Sequence, residues 1–164
     1  MSITFQAIKP EHLPYVHDIY THYVLNSTAT FQIVPPTLEE MAEMVFFDNP
    51  RYQTFVILDG EVICGYVLLT RFHKREAYNR TAEVTIYLHP DHTGKGIGTQ
   101  ALQHIEEFAR AQDIHVLVAL VSGENQPSIK LFSRQGYSQC ACYRQVGEKF
   151  GRLLDMVAYQ KILD

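Results

Sequence analysis

The sequence predicts an α/β fold on a mixed sheet of about seven strands, and three observations carry that reading. The chain opens on a strand followed by a helix. Asp59-Gly60 joins two apolar runs in the manner of a hairpin. A strictly alternating strand then runs through a glycine-rich turn into a helix and a second, almost wholly apolar strand. Fourteen Lys and Arg against eighteen Asp and Glu leave a net charge of -4 over 164 residues, a length that predicts one domain, 1–164, around one sizeable core. No long basic run offers a surface for many phosphates, so nucleic acid is not the expected partner.

Ile3 to Ile8 alternates well enough for a strand. Pro10 and Glu11 then suit the first turn of a helix whose apolar residues include Leu13, Val16, Tyr20, Tyr23 and Val24. Pro36-Thr37 followed by Glu40 has the form of a capping box, which predicts a second, shorter helix through about Phe47. Thr54–Leu58 and Glu61–Ile63 flank Asp59-Gly60, the dipeptide that most readily supplies two positive φ angles for a type I′ turn. In Ala82 to Leu88, Ala82, Val84, Ile86 and Leu88 share one face, and Glu83, Thr85 and Tyr87 share the other. A helical pattern follows at Ile97, Ala101, Ile105, Phe108 and Ala109. His115 to Val121 then reads as a strand buried on both faces. A short helix from about Pro127 to Gln135 stops at Gly136, and two strands complete the chain.

No apolar stretch approaches the roughly 20 residues of a membrane helix, and the N-terminus lacks a basic segment leading into an apolar one, so a cytoplasmic location is expected. Cys64, Cys140 and Cys142 lack zinc-type spacing and read as unpaired, buried or half-buried residues, the last two on one face of a strand. His89 and His92 invite a metal reading, but no H-E-x-x-H or Cys/His constellation accompanies them, and no metal is expected.

The segment His89-Pro90-Asp91-His92-Thr93-Gly94-Lys95-Gly96-Ile97-Gly98-Thr99 joins a strand to a helix, where free N–H groups and the helix dipole can hold phosphate oxygens. Three phosphate loops compete for it. A Walker A string is absent. Gly96-Ile97-Gly98-Thr99-Gln100-Ala101 matches the dinucleotide fingerprint G-x-G-x-x-A, with Glu124 near the distance of a ribose-binding acid, yet His89 to Lys95 intervene between strand and glycines. The third reading is a pyrophosphate loop for coenzyme A. Here the sequence resembles the GNAT acyltransferase superfamily: a strand, a turn of the form Q/R-x-x-G-x-G/A, a helix, a buried strand, an Asn-containing turn and a short helix ending in Gly-aromatic. It is most similar to the phosphinothricin and methionine sulfone acetyltransferase group, through Ile19–Val24, Ser27–Phe31, Arg75–Tyr78, Thr81-Ala82-Glu83, Tyr87–His92 and the tail Val146–Arg152.

That resemblance implies helices on both faces of the sheet, and acetyl-CoA held where two central strands splay apart. The main chain of Ile86, Tyr87 and Leu88 would pair with pantetheine, and an N–H of Tyr87 or Leu88 would serve the oxyanion. The pyrophosphate would rest on N–H groups of Gly94, Lys95, Gly96, Ile97, Gly98 and Thr99, helped by the Thr99 hydroxyl and the Lys95 ammonium. Asn125, Ser128 and Arg134 correspond to further cofactor contacts, although Asn125 beside Gln-Pro also suits a helix N-cap. Phe31, Arg75, Glu76 and Tyr78 match the acceptor pocket, where an Arg suits a carboxylate.

Glu83 is the implied general base: an ammonium must lose a proton before its nitrogen attacks a thioester. The implied reaction is direct acetyl transfer to a small amino-acid-like amine in a ternary complex, by a homodimer whose tail around Lys149 and Phe150 lies close to the partner's site. The sequence departs from the group twice. Thr93 stands where the loop opens on Gln or Arg, and Phe132, which can neither give nor take a proton, stands where the group has His and other members Tyr. Phe132 motivates a rival reading, a CoA-binding sensor with weak or lost catalysis, and by its spacing with Ile129 it reads as a core residue.

Overall fold

The computed structural model describes residues 1–164. Its strands are β1 (Ile3–Ala7), β2 (Gln53–Asp59), β3 (Val62–Arg71), β4 (Thr81–Leu88), β5 (Val116–Ser122), β6 (Ser138–Lys149) and β7 (Arg152–Ile162). Its helices are α1 (Leu13–Asn26), α2 (Leu38–Val45), α3 (Ile97–Ala111) and α4 (Gln126–Arg134). The seven strands form one sheet in the order β1-β2-β3-β4-β5-β7-β6, in which β4 and β5 alone pair in parallel.

Strand alternation divides the core between the two faces. Val67, Leu69, Val84 and Leu117 pack with Ile97, Leu102 and Ile105 of α3 on one side. Val56, Tyr66 and Leu68 pack with Val16 and Tyr20 of α1 and Met41 of α2 on the other. Fully burying one such aliphatic side chain stabilises by about 1.5–3 kcal/mol, enough to fix which face each helix covers. The capping box forms as its sequence requires: the Thr37 hydroxyl accepts the Glu40 N–H at 3.1 Å and the Glu40 carboxylate accepts the Thr37 N–H at 2.9 Å. At the other end of the chain's helical pattern, α4 stops before Gly136, whose φ of 91° closes the helix in a left-handed turn.

Three expectations need correction. In the β2–β3 hairpin, Asp59 pairs with Val62, so the loop residues are Gly60 and Glu61, and only Gly60 has a positive φ, 62°. Glycine therefore occupies the first central position, as in type II′ turns, and Asp59 stays in the ladder. Cys140 and Cys142 are exposed because β6 is the edge strand. Leu120 is 40% exposed on a strand expected to be buried on both faces.

The exposure of Leu120 follows from how β4 and β5 meet. Their pairing runs only from Thr81–Val116 to Glu83–Val118, although β4 continues to Leu88 and β5 to Ser122. Beyond Glu83 the sheet opens into a cleft.

Candidate functional site

Which backbone groups face the cleft follows from the hydrogen-bond phase of the ladder. In an antiparallel pair, alternate residues bond to the partner and the others point away. The His89 N–H donates to the Cys64 carbonyl at 2.8 Å, which sets the phase on the β3 side. At the other end of β4, the Arg80 carbonyl accepts from the N–H groups of His115 and Val116 and so points toward β5. Both ends agree. Ile86 and Leu88 direct their N–H and C=O into the cleft, whereas Tyr87 bonds toward β3. Of the two oxyanion donors considered, the Leu88 N–H is the one that opens into the cleft. The Leu88 carbonyl there accepts the Tyr23 hydroxyl.

The cleft of about 700 Å³ continues along the glycine turn to α4. Gly94 and Gly96 have φ of 73° and 78°, and a Cβ on either would meet no atom within 4 Å, so glycine is required there for conformation and not for room. Gly96 caps α3 without a side-chain acceptor, and the first helical bond runs from the Gln100 N–H to the Gly96 carbonyl. The N–H groups of Ile97, Gly98 and Thr99 are thus left to an anion at the positive end of the helix dipole. Gly98 serves another purpose, since a Cβ there would meet Leu131 Cδ2 at 3.0 Å where α3 approaches α4.

Of the residues expected to bind the cofactor, Ile86, Tyr87, Leu88, Gly94, Gly96, Gly98, Thr99, Asn125, Ser128 and Arg134 all line this one cleft. Lys95 is exposed outside it, and the Ile97 side chain is buried in the core with only its N–H toward the turn. The Asn125 side chain accepts the Ser128 N–H at 3.4 Å, so it is an N-cap as well as a cleft residue. Phe132 also has both characters: it is 5% exposed, packs edge-on against Tyr137, and forms part of the cleft wall.

Glu83 lies at the last paired position before the strands part, on the sheet face opposite α3. Burial pushes its carboxyl above the ordinary range, and no side-chain hydrogen bond or ion pair engages it. On the same face of β4, the Tyr87 ring is held by Tyr20, Tyr23 and Tyr66 at centroid distances of 5.3 to 5.6 Å. The expected acceptor residues lie away from the cleft lining. Phe31 packs under the β6–β7 tip, where a Cβ on Gly147 would be 2.8 Å from its ring. Arg75, Glu76 and Tyr78 are exposed on the β3–β4 connection, with the Tyr78 ring against Phe72 and His73.

Among the cleft residues that the sequence did not assign to the site are Tyr23, Thr28, Lys130 and, in its present setting, Glu124. Lys130 had a usable signal, because it stands four residues before Arg134 and so on the same face of α4. Thr28 and Glu124 had none. They are 96 residues apart in sequence, and their hydrogen bond exists only in the folded chain.

A model of the Acetyltransferase (GNAT) family matches residues 16–137. The L-methionine sulfoximine/L-methionine sulfone acetyltransferase of Pseudomonas aeruginosa is 36% identical over 100% of this chain and 96% of its own. The phosphinothricin N-acetyltransferase of Streptomyces coelicolor is 33% identical over 93% of this chain and 92% of its own. Among solved structures, a GNAT superfamily phosphinothricin acetyltransferase from Sinorhizobium meliloti in complex with AcCoA superposes with a TM-score of 0.94 at 31% identity, covering 99% of this chain and 89% of the other.

Proposed function

The chain belongs to the GNAT acetyltransferase family, and from that premise we propose that it moves acetyl from acetyl-CoA to the amino group of a small amino-acid-like acceptor such as phosphinothricin, methionine sulfone or methionine sulfoximine. The observation that carries this reading is the continuity of the donor row. The unpaired N–H groups of Ile86 and Leu88 lead along one cleft to those of Ile97, Gly98 and Thr99. A pantetheine amide chain ending in a pyrophosphate has the matching order of acceptors. A dinucleotide-binding reading has no use for the first half of that row.

In the proposed step, both substrates are bound together. The acceptor ammonium approaches from the Glu83 face and first gives one proton to the Glu83 carboxylate, directly or through water, and the lone pair so freed attacks the thioester carbon. The negative charge developing on the carbonyl oxygen is met by an N–H of β4 that faces the cleft, Leu88 or Ile86. Collapse of the tetrahedral intermediate breaks the C–S bond and expels the CoA thiolate, and the nitrogen releases its second proton to water as the amide forms. Lys130 and Arg134 supplement the turn's N–H groups on the cofactor phosphates, and Arg75, Glu76, Tyr78 and Phe31 are assigned to the acceptor side by the family correspondence. The step calls on no metal.

Phe132 offers no proton to the thiolate. A thiolate is a far better leaving group than an alkoxide, so the reaction proceeds without an acid at this position. Phe132→Tyr is accordingly expected to change kcat by less than about threefold, well short of the roughly 10²–10⁴ of a working general acid. A hundredfold rise in steady-state kcat would mean instead that proton delivery limits the enzyme.

We further propose one domain across 1–164, a homodimer and a cytoplasmic location. Val146, Phe150 and Leu153, each more than half exposed around the β6–β7 tip, support the dimer. The three free thiols support a reducing compartment. The deciding experiment incubates the protein with acetyl-CoA and a panel of phosphinothricin, methionine sulfone, methionine sulfoximine, common amino acids and polyamines, following thiol release. Release with an amino-acid-like acceptor is expected. CoA binding without release for every amine would convert the reading to a sensor, and binding of NAD in place of CoA would overturn it.

A further inference from the structure

We propose that Glu124 is a positioning residue that fastens residues 27–34, a strap joining α1 to α2, across the cleft, and that the β6–β7 tip holds it there. Glu124 precedes Asn125 on the turn between β5 and α4. Its carboxylate accepts the Thr28 hydroxyl at 2.5 Å and the Arg152 guanidinium at 2.6 Å and 3.4 Å. Thr28, 7% exposed, stands on the strap, so this hydrogen bond joins two walls of the cleft. A second bond fixes the strap from the same tip: Lys149, 4% exposed and paired with Arg152 across the turn, donates to the Thr30 carbonyl at 2.9 Å. Farther along, the Tyr20 hydroxyl meets Thr30 Oγ1 and Gln32 Oε1 at 2.9 Å and 2.7 Å.

The magnitudes point to positioning over stability. The Arg152 and Glu124 side chains are 51% and 41% exposed, a setting in which an ion pair adds little to the folded state. Holding the strap is different, because it carries Ser27, Thr28 and Ala29 on the cleft wall and Phe31 under the tip. A strap released from Glu124 leaves the pyrophosphate turn untouched and loosens the wall along which an acceptor must approach. Arg152 and the Thr28 hydroxyl also hold the Glu124 carboxyl below the usual range, so it remains the acceptor of both bonds at neutral pH.

The kinetic part rests on the acetyltransferase reading, and the exchange part does not. Thr28→Val, Arg152→Gln and Glu124→Gln are each expected to raise the acceptor KM about tenfold with kcat and CoA affinity within about threefold. The Thr28→Val, Arg152→Gln double variant should be no worse than Glu124→Gln alone, because the three groups act as one unit. Thr28→Ser, which keeps the hydroxyl, should recover the wild-type KM. Amide hydrogen exchange over residues 27–34 should quicken about tenfold in the three single variants and not in Thr28→Ser. Unchanged exchange in those variants, or costs that multiply in the double variant, would overturn the proposal. The exchange readout decides even for a protein that acetylates no amine in the panel.

Discussion

Glu83→Gln is expected to lower kcat by about two to four decades, the scale of a lost general base, and to leave the fold at least as stable as before. The two effects share a cause. Glu83 stands where β4 and β5 cease to pair, and burial without a cationic partner raises its carboxyl above the ordinary range. A raised carboxyl keeps more of its proton-accepting strength, which suits a base working on an ammonium. The sign for stability is the reverse of a salt-bridged acid. Ionising Glu83 costs more in the folded chain than in the unfolded one, so stability is full at low pH and falls as pH rises from the unfolded value through the raised folded value. Gln removes that cost, so the variant's Tm should match or exceed wild type at pH 7 and converge with it near pH 4. In the wild type, kcat/KM should show an acidic limb above the ordinary carboxyl range, which the variant loses. Steady-state kinetics and thermal melts at both pH values test this together, and a correctly folded variant with wild-type turnover would remove Glu83 from the role.

The features legible in the sequence are those whose cause is local. The Thr37–Glu40 box, the stop at Gly136 and the two faces of β4 depend on residues within a few positions of one another, and each forms in the folded chain. The Asp59-Gly60 turn misses by one residue because two turn types use the same glycine, and the choice is made by the ladder that Asp59 joins. Leu120 misses for a longer-range reason: an apolar residue reads as buried unless the neighbouring strand is known to leave it.

Glu106 illustrates the same limit inside a helix. On the inner side of α3 it is 6% exposed, made tolerable by the Tyr137 hydroxyl at 3.0 Å and the Lys161 ammonium at 2.9 Å, partners 31 and 55 residues away. The glycine turn of the site was readable because its chemistry is carried by consecutive backbone groups. The phase that aims Leu88 and Ile86 at the cleft was not, because a one-residue change of pairing would reverse it.

That phase is also what makes Gly65 the most sensitive backbone position outside the turn. Gly65 pairs with Leu88, and a Cβ built on it would lie 2.6 Å from the Tyr87 carbonyl oxygen, 2.8 Å from Leu88 Cδ2 and 3.1 Å from Leu88 Cα. Two of those atoms are main chain and cannot rotate aside, so an alanine here must push β4 away from β3, toward the cleft. Gly65→Ala is expected to cost about 1–3 kcal/mol of stability, the usual penalty of overpacking. It should also weaken acetyl-CoA binding at least about tenfold, because the displaced residue is the one whose N–H faces the ligand. Gly147→Ala provides the contrast. Its Cβ would meet only the Phe31 ring, at 2.8 Å, and a ring at the edge of the strap can shift. That variant should hold acetyl-CoA within about threefold of wild type and lose acceptor affinity instead. Urea denaturation with calorimetric titration of acetyl-CoA separates the two, and a Gly65→Ala protein that binds acetyl-CoA as wild type does would show that the β4 main chain is not what holds it.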